Sequence, residues 1–175
     1  MKIKNKQKNN LGFSLVEVMV ACSILSVTVL SFMSTASKSI QVSGYSLNQA
    51  QATLLTEEGV EAVKSIRDND WTDISSLTIN TDYYLFFNTS TNIWSLRLAS
   101  LGMSAPNGSI PNYPIDSIFT RKVSVSAVSR DSNQNIASSG TLDTGTKKIT
   151  VTVSWDKTGG LVSKSLSFYI SNIFN

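Results

Sequence analysis

Leu11-Gly12-Phe13-Ser14-Leu15-Val16-Glu17-Val18-Met19-Val20-Ala21-Cys22 is the stretch on which the reading of this chain turns. It opens an apolar run over residues 13–33, twenty-one positions holding one charge, Glu17, and neither Pro nor Gly. At a rise of about 1.5 Å per helical residue, such a run crosses the ~30 Å hydrocarbon core of a bilayer. Ahead of it stand Lys2, Lys4, Lys6 and Lys8. A basic flank stays in the cytoplasm and sends the following chain outward. The sequence thus predicts a single-pass, N-in anchor with an extracytoplasmic remainder.

Glu17 is the anomaly in that anchor. An ionised side chain at the bilayer centre costs on the order of 2.5–3.5 kcal/mol on insertion scales, so it calls for a partner. None of the chain's other charges lies within the span. Helix geometry supplies one if the chain is cut after Gly12. The new amine of Phe13 then sits four residues before Glu17 on the same helix face, where it can neutralise the acid within one chain or in a neighbour stacked out of register. The acid also lies near the positive end of the helix dipole.

Gly12-Phe13-Ser14-Leu15-Val16-Glu17 resembles the processing site of type IV prepilins. The resemblance implies that a short basic leader, residues 1–12, is removed after Gly12 by a membrane-embedded aspartyl prepilin peptidase. It implies further that the same enzyme N-methylates Phe13 and that Glu17 guides packing into a filament. The continuation Leu15-Val16-Glu17-Val18-Met19-Val20-Ala21 is similar to minor pilins and pseudopilins. The resemblance covers roughly residues 1–40 and departs at Ser34, where many family members carry a helix-bending proline. Two blander readings compete. A plain signal anchor needs only basic residues and an apolar run, and leaves the Gly12–Phe13 boundary and Glu17 unexplained. A lipoprotein signal would use Met19-Val20-Ala21-Cys22, yet Glu17 interrupts its apolar core and the chain stays hydrophobic beyond Cys22. Cys22 reads instead as a small apolar residue facing lipid or a neighbouring helix.

Composition fits an exported protein that is not an enzyme. The net charge is +3, but the leader holds four of the fifteen basic residues and none of the twelve acids, so residues 13–175 carry −1. The pI near 9.0 therefore belongs to the leader and is no argument for nucleic-acid binding. Beyond the span remain about 140 residues, enough for one small domain and a helical stalk. Ser, Thr and Asn are abundant, charges are sparse, and a single cysteine permits no intrachain disulfide.

Further along, residues 34–44 are polar and read as helix, loosened near Gly44. Residues 45–67 are amphipathic. Ala52, Leu55, Gly59, Ala62, Val63 and Ile66 recur at steps of three and four, while Glu57, Glu58, Glu61 and Lys64 take the other faces. Asp68-Asn69-Asp70-Trp71 terminates the helix. Period-two alternation then predicts a hairpin from residues 83–87 and 92–98 across 88–91, and a loop over 99–116 with all three prolines. Three antiparallel strands follow at 118–130, 147–155 and 161–173, the last pair joined at Gly159-Gly160. Val123, Val125 and Ala127 are expected on one face, as are Ile149, Val151, Val153 and Trp155. The expected class is α+β and pilin-like: a long N-terminal helix, transmembrane then amphipathic, packed on a C-terminal antiparallel sheet.

Catalytic chemistry is sparse. Without histidine there is no Ser-His-Asp or Cys-His arrangement and no histidine-ligated metal. No Gly-rich phosphate loop occurs. Asp143-Thr144-Gly145 echoes an aspartic-protease triplet but stands among turn residues and reads as a turn. Asp131-Ser132-Asn133-Gln134-Asn135 echoes half a calcium loop, with Ile136 and Leu142 where glycine and glutamate belong. No cofactor or metal is expected. The run from Thr56 to Trp71 is similar to minor pilins, and each of its residues reads singly as a charged helix face with a terminator.

The expectation is a minor pilin-like structural subunit incorporated into a type IV filament. Its expected parts are a leader (1–12), a membrane and assembly helix (13–38), an amphipathic helix (39–68) and an extracytoplasmic β-rich head (69–175). Its partners would be prepilin peptidase, other pilin subunits and the assembly platform. The rivals are a pseudopilin of a type II secretion or DNA-uptake apparatus, and a membrane-anchored adhesin that never polymerises. The sequence assigns the head neither DNA nor a surface as ligand.

Overall fold

The computed structural model describes residues 12, 14–98, 115–157 and 159–173. It contains a long helix α1 (Leu15–Asn69), a short helix α2 (Thr72–Ser75) and strands β1 (Asp82–Asn88), β2 (Ile93–Leu98), β3 (Phe119–Arg130), β4 (Ile136–Ala137), β5 (Thr141–Lys157) and β6 (Gly160–Ser171). The chain divides into two compact units, Met1–Ser46 and Leu47–Asn175.

The first unit carries the apolar start of α1. Its large side chains, among them Leu15, Leu25, Leu30 and Phe32, are more than half exposed, and α1 is the described helix long and apolar enough to cross a membrane. Hydroxyls in this stretch turn back onto the helix. Ser23 donates to the Met19 carbonyl, Ser26 to Cys22 and Ser31 to Val27, each at 2.8 Å. Such back-bonding satisfies these three hydroxyls on the exposed apolar surface of the helix. The loosening expected near Gly44 does not occur: residues 34–44 are continuously helical. A glycine costs a helix about 1 kcal/mol, too little to break a ladder that the turns on either side propagate.

In the second unit, α1 from Leu47 onward packs on an antiparallel sheet of order β2-β1-β3-β5-β6, with β4 paired to the end of β3. The fold is the α+β, pilin-like arrangement. The helix buries Ala52, Thr56, Gly59, Val60, Ala62, Val63 and Ile66. Against them lie Val123, Val125, Ile149 and Val151 of the sheet, all fully buried. Leu55, expected inward, is only half-buried, and Thr56 takes the place, its hydroxyl bonded to the Ala52 carbonyl at 2.7 Å. A hydroxyl satisfied by its own helix can enter a core, so the buried face is rotated by about one residue from the purely apolar count.

After Asn69 the Asp70 carboxylate accepts the Thr72 amide at 2.7 Å, starting α2, whose Ile74 is fully buried. The expected hairpin of β1 and β2 forms, with its connection at residues 89–92 rather than 88–91 and Tyr83 opposite Leu98 through Asn88 opposite Ile93. Buried Tyr83 uses its phenol oxygen to accept the Thr78 amide at 2.8 Å. Most of the expected loop, residues 99–114, lies outside the described residues.

Strand β5 is longer than expected because it resumes beyond a bulge. Val128 pairs with Asp143 but Ala127 with Lys147, so Thr144, Gly145 and Thr146 have no partners on β3. The shift flips the alternation: Ala127, expected inward, is exposed, and Val128 is buried. The expected turn at Asp143-Thr144-Gly145 is this bulge. The Asp143 Oδ1 accepts the Gly145 and Thr146 amides at 2.9 and 3.1 Å, and Arg130 Nε donates to Oδ2 at 2.6 Å. The residues that echo a calcium loop form the tight β3–β4 connection. There the Asp131 carboxylate accepts the Asn133 and Asn135 amides at 2.8 and 2.9 Å.

Candidate functional site

Two places on the chain bear on function: the start of α1 and the joint between α1 and the sheet. At the start, Gly12 is exposed, with nothing within 4 Å of where a side chain would stand. An uncrowded glycine leaves room for a protease to reach the backbone. Phe13, the other half of the expected scissile bond, lies outside the described residues. Glu17 sits in the first turn of α1, solvent-exposed, and forms no ion pair with another described residue. The apolar surface of α1 around it would strengthen any ion pair this carboxylate forms with a partner by excluding water.

The joint was only half visible in the sequence. At Gly59 α1 lies close against the sheet: a methyl there would stand 2.7 Å from Val151 Cγ1 and 3.1 Å from Arg121 Cδ. Beside it, Arg121 points inward from β3 and is 4 % exposed. Its Nη1 donates to Glu58 Oε2 at 2.8 Å and to the Leu55 carbonyl at 3.0 Å, and its guanidinium lies 5.6 Å from the Trp94 ring. One cation therefore ties α1, β2 and β3 together. The signal for it was the alternation Phe119, Arg121, Val123, Val125, which places Arg121 on the buried face regardless of its charge.

The asymmetry of this pair yields a testable result. Removing Glu58 strands a buried cation, whereas replacing Arg121 with an apolar side chain of similar length removes the need for a partner. Since Glu58 is half exposed, its loss is partly compensated by water. Glu58→Ala is expected to cost about 2 kcal/mol, and Arg121→Met to stay within about 1 kcal/mol of the parent. Denaturant midpoints of the two variants decide it; a costlier Arg121→Met would make the cation itself the source of stability.

The remaining carboxylates serve local structure. Asp70, Asp131 and Asp143 are all held below the usual carboxylate range: Asp70 by hydrogen bonds from Thr72, Asp131 by amides of its own loop, and Asp143 by Thr146 first and then Arg130. A carboxylate depressed in the folded state contributes stability that is complete above its unfolded value, about 3.9, and is lost as pH falls through the folded value. Asp143→Asn is therefore expected to lower the melting temperature near neutral pH and to weaken its fall as pH drops below about 4. An unchanged acid slope would remove Asp143 from the groups that set it.

Among the described residues no three His, Cys, Asp or Glu side chains gather as a metal site. An open polar depression of about 420 Å³ at the end of α1 is lined by Arg67, Asp68, Asp70, Trp71, Thr72 and Asn172. Its acids are engaged, Asp68 with Arg67 at 2.7 Å and Asp70 with the Thr72 amide.

A family model described as the prokaryotic N-terminal methylation motif matches residues 7–33. The chain thus carries the type IV prepilin-like cleavage and methylation signal, which points to a structural, non-enzymatic protein held by an apolar helix. No curated protein and no solved structure matches the chain.

Proposed function

We propose that this chain is a minor pilin-like subunit, cut after Gly12 by prepilin peptidase, methylated on Phe13 and drawn from the membrane into a type IV filament. The observation that carries the reading is the methylation motif over residues 7–33, set at the head of an apolar helix that continues into the head domain. Four lysines before the span put the N-terminus in the cytoplasm and the head outside. Past the span, α1 keeps large apolar residues on the side turned from the sheet. Leu47 is 60 % exposed and Leu54 is 65 % exposed, seven residues apart. That spacing supports helix-to-helix packing in a filament core.

In this reading Glu17 sets register by pairing with the methylated amine of Phe13 in a neighbouring subunit. Glu17→Val makes the span more apolar, so membrane levels and cleavage should hold. The variant is expected in the membrane fraction and absent from sheared filaments. Quantitative blotting of both fractions tests this, and incorporation at the parent level would remove the register role.

A further inference from the structure

Strand β6 is one edge of the sheet: among the described strands it pairs with β5 alone, from Gly160 to Ser171. An edge of this length is ordinarily guarded by a proline, a bulge or an outward charge. β6 holds no proline and no acid, and its register with β5 runs unbroken. Its one charge, Lys164, is turned to the helix, where Nζ donates to Thr53 Oγ1 at 2.6 Å. Leu166 stands on the core side of the sheet, opposite fully buried Val151, yet is 44 % exposed at the open edge.

In an antiparallel ladder, alternate residues turn both backbone groups toward the same neighbour. The Asn172 amide donates to the Gly145 carbonyl at 3.4 Å, one step past the pair of Thr146 and Ser171, so the even-numbered residues of β6 face β5. Leu161, Ser163, Ser165, Ser167, Tyr169 and Ser171 therefore point their N–H and C=O groups off the edge. These positions are symmetric about Leu166. Two copies of β6 laid antiparallel, with Leu166 opposite Leu166, thus satisfy all of them, and every other symmetric register leaves some out. The side chains agree with that register. On the core side Val162 meets Ile170 and Lys164 meets the Phe168 ring; on the outer side Ser165 meets Ser167 and Ser163 meets Tyr169. No like charges stand opposite each other. Leu166 falls at a pair without hydrogen bonds of its own, where side chains come closest.

We propose that β6 binds β6 of a second copy, joining two heads into one continuous sheet about a twofold axis at Leu166. The helices do not obstruct it. α1 lies over β5 and β3, where Gly59 meets Val151 and Arg121. The two β5 strands would stand three strand spacings apart, about 14 Å, against roughly 10 Å for the diameter of a helix. The other edge, β2, is a poorer partner, because its six residues would leave half of the twelve in β6 open. α1 runs in the sense of β6, since Thr53 reaches Lys164 and Gly59 meets Val151, which pairs with Leu166. The paired heads hence point opposite ways, so the contact joins subunits presented by two surfaces or two filaments. One strand pair is a small contact, and repetition along two filaments would multiply it.

The test uses the full chain in detergent, with Cys22→Ser removing the native thiol and micelles in excess so that two anchors do not share one. In that background Leu166→Cys places a thiol against its own copy, across a pair whose Cα atoms lie about 4.5 Å apart, within disulfide reach. Leu161→Cys is the control. Leu161 is 71 % exposed, more than Leu166, but the register puts it roughly 30 Å from its copy. Under oxidised glutathione, Leu166→Cys should form a linked dimer at least roughly tenfold faster than Leu161→Cys. Ser163→Pro, added to the Leu166→Cys chain, deletes an N–H that points off the edge and spares the ladder to β5. Linking should then slow roughly tenfold, at a melting temperature close to that of its parent. Equal or faster linking of Leu161→Cys overturns the proposal, as does linking indifferent to Ser163→Pro. Neither measurement requires cleavage or a filament, so the proposed subunit role stands or falls separately.

Discussion

A Gly59→Leu chain is expected to lose about 3 kcal/mol or more of head-domain stability, a fall in melting temperature on the order of 10 °C. The estimate begins with the space available. Even a Cβ at this position would stand 2.7 Å from Val151 Cγ1, and Val151 is fully buried and β-branched, with little freedom to turn aside. Leucine adds further atoms along the same direction, so α1 must lift from the sheet and uncover Val123, Val125 and Val151. The opposing effect is helix propensity, where glycine is worse than most residues by about 1 kcal/mol. Gly59→Ala sets the two against each other: it gains that 1 kcal/mol and meets overpacking of typically 1–3 kcal/mol, so a net loss near 1 kcal/mol is expected. Thermal unfolding followed by circular dichroism measures both. A stabilised Gly59→Ala would mean that the sheet yields, and that the close approach is not what selects glycine here.

That contact also explains how much of the molecule could be read in advance. The apolar span was legible because membrane thickness acts on a continuous local segment, and the methylation motif matched over residues 7–33 because its residues are contiguous. The buried face of β5, from Ile149 to Trp155, was legible because nothing disturbs its alternation. What escaped depends on partners distant in sequence. Ala127 was placed inward by counting in twos, and the unpaired residues opposite it on β5 shift the count. Leu55 was chosen over Thr56 on apolarity, although a hydroxyl bonded inside its own helix behaves as apolar. Arg121 lay in plain alternation, but an inward cation makes sense only once Glu58 and Trp94 arrive from other elements. The two-residue β4 and the four-residue α2 are too short to leave any period. At the candidate site the residues themselves were named from sequence; the structure adds the open surroundings of Gly12 and the exposure of Glu17.

Replacing Gly12 by leucine is expected to abolish maturation while leaving membrane insertion untouched. Insertion depends on the lysine flank and the apolar run, neither of which changes. Cleavage depends on access to the bond after residue 12, and Gly12 stands with nothing within 4 Å of its missing side chain. A protease working at the membrane face must bring its carboxylates to that backbone, and a bulky residue before the bond obstructs the approach. The precursor should therefore accumulate at full length in the membrane, larger than the mature chain by residues 1–12. Its uncleaved Phe13 would keep an amide nitrogen in place of an amine, so Glu17 would face a neighbour without its cation and filaments should exclude it. Mass spectrometry of the parent should find N-methylphenylalanine first and of the variant Met1 first. A parent protein beginning at Met1, or at a lipid-bearing Cys22, would end the proposed processing. A Gly12→Leu chain that matures normally would instead move specificity from the glycine to Phe13 and the residues beyond it.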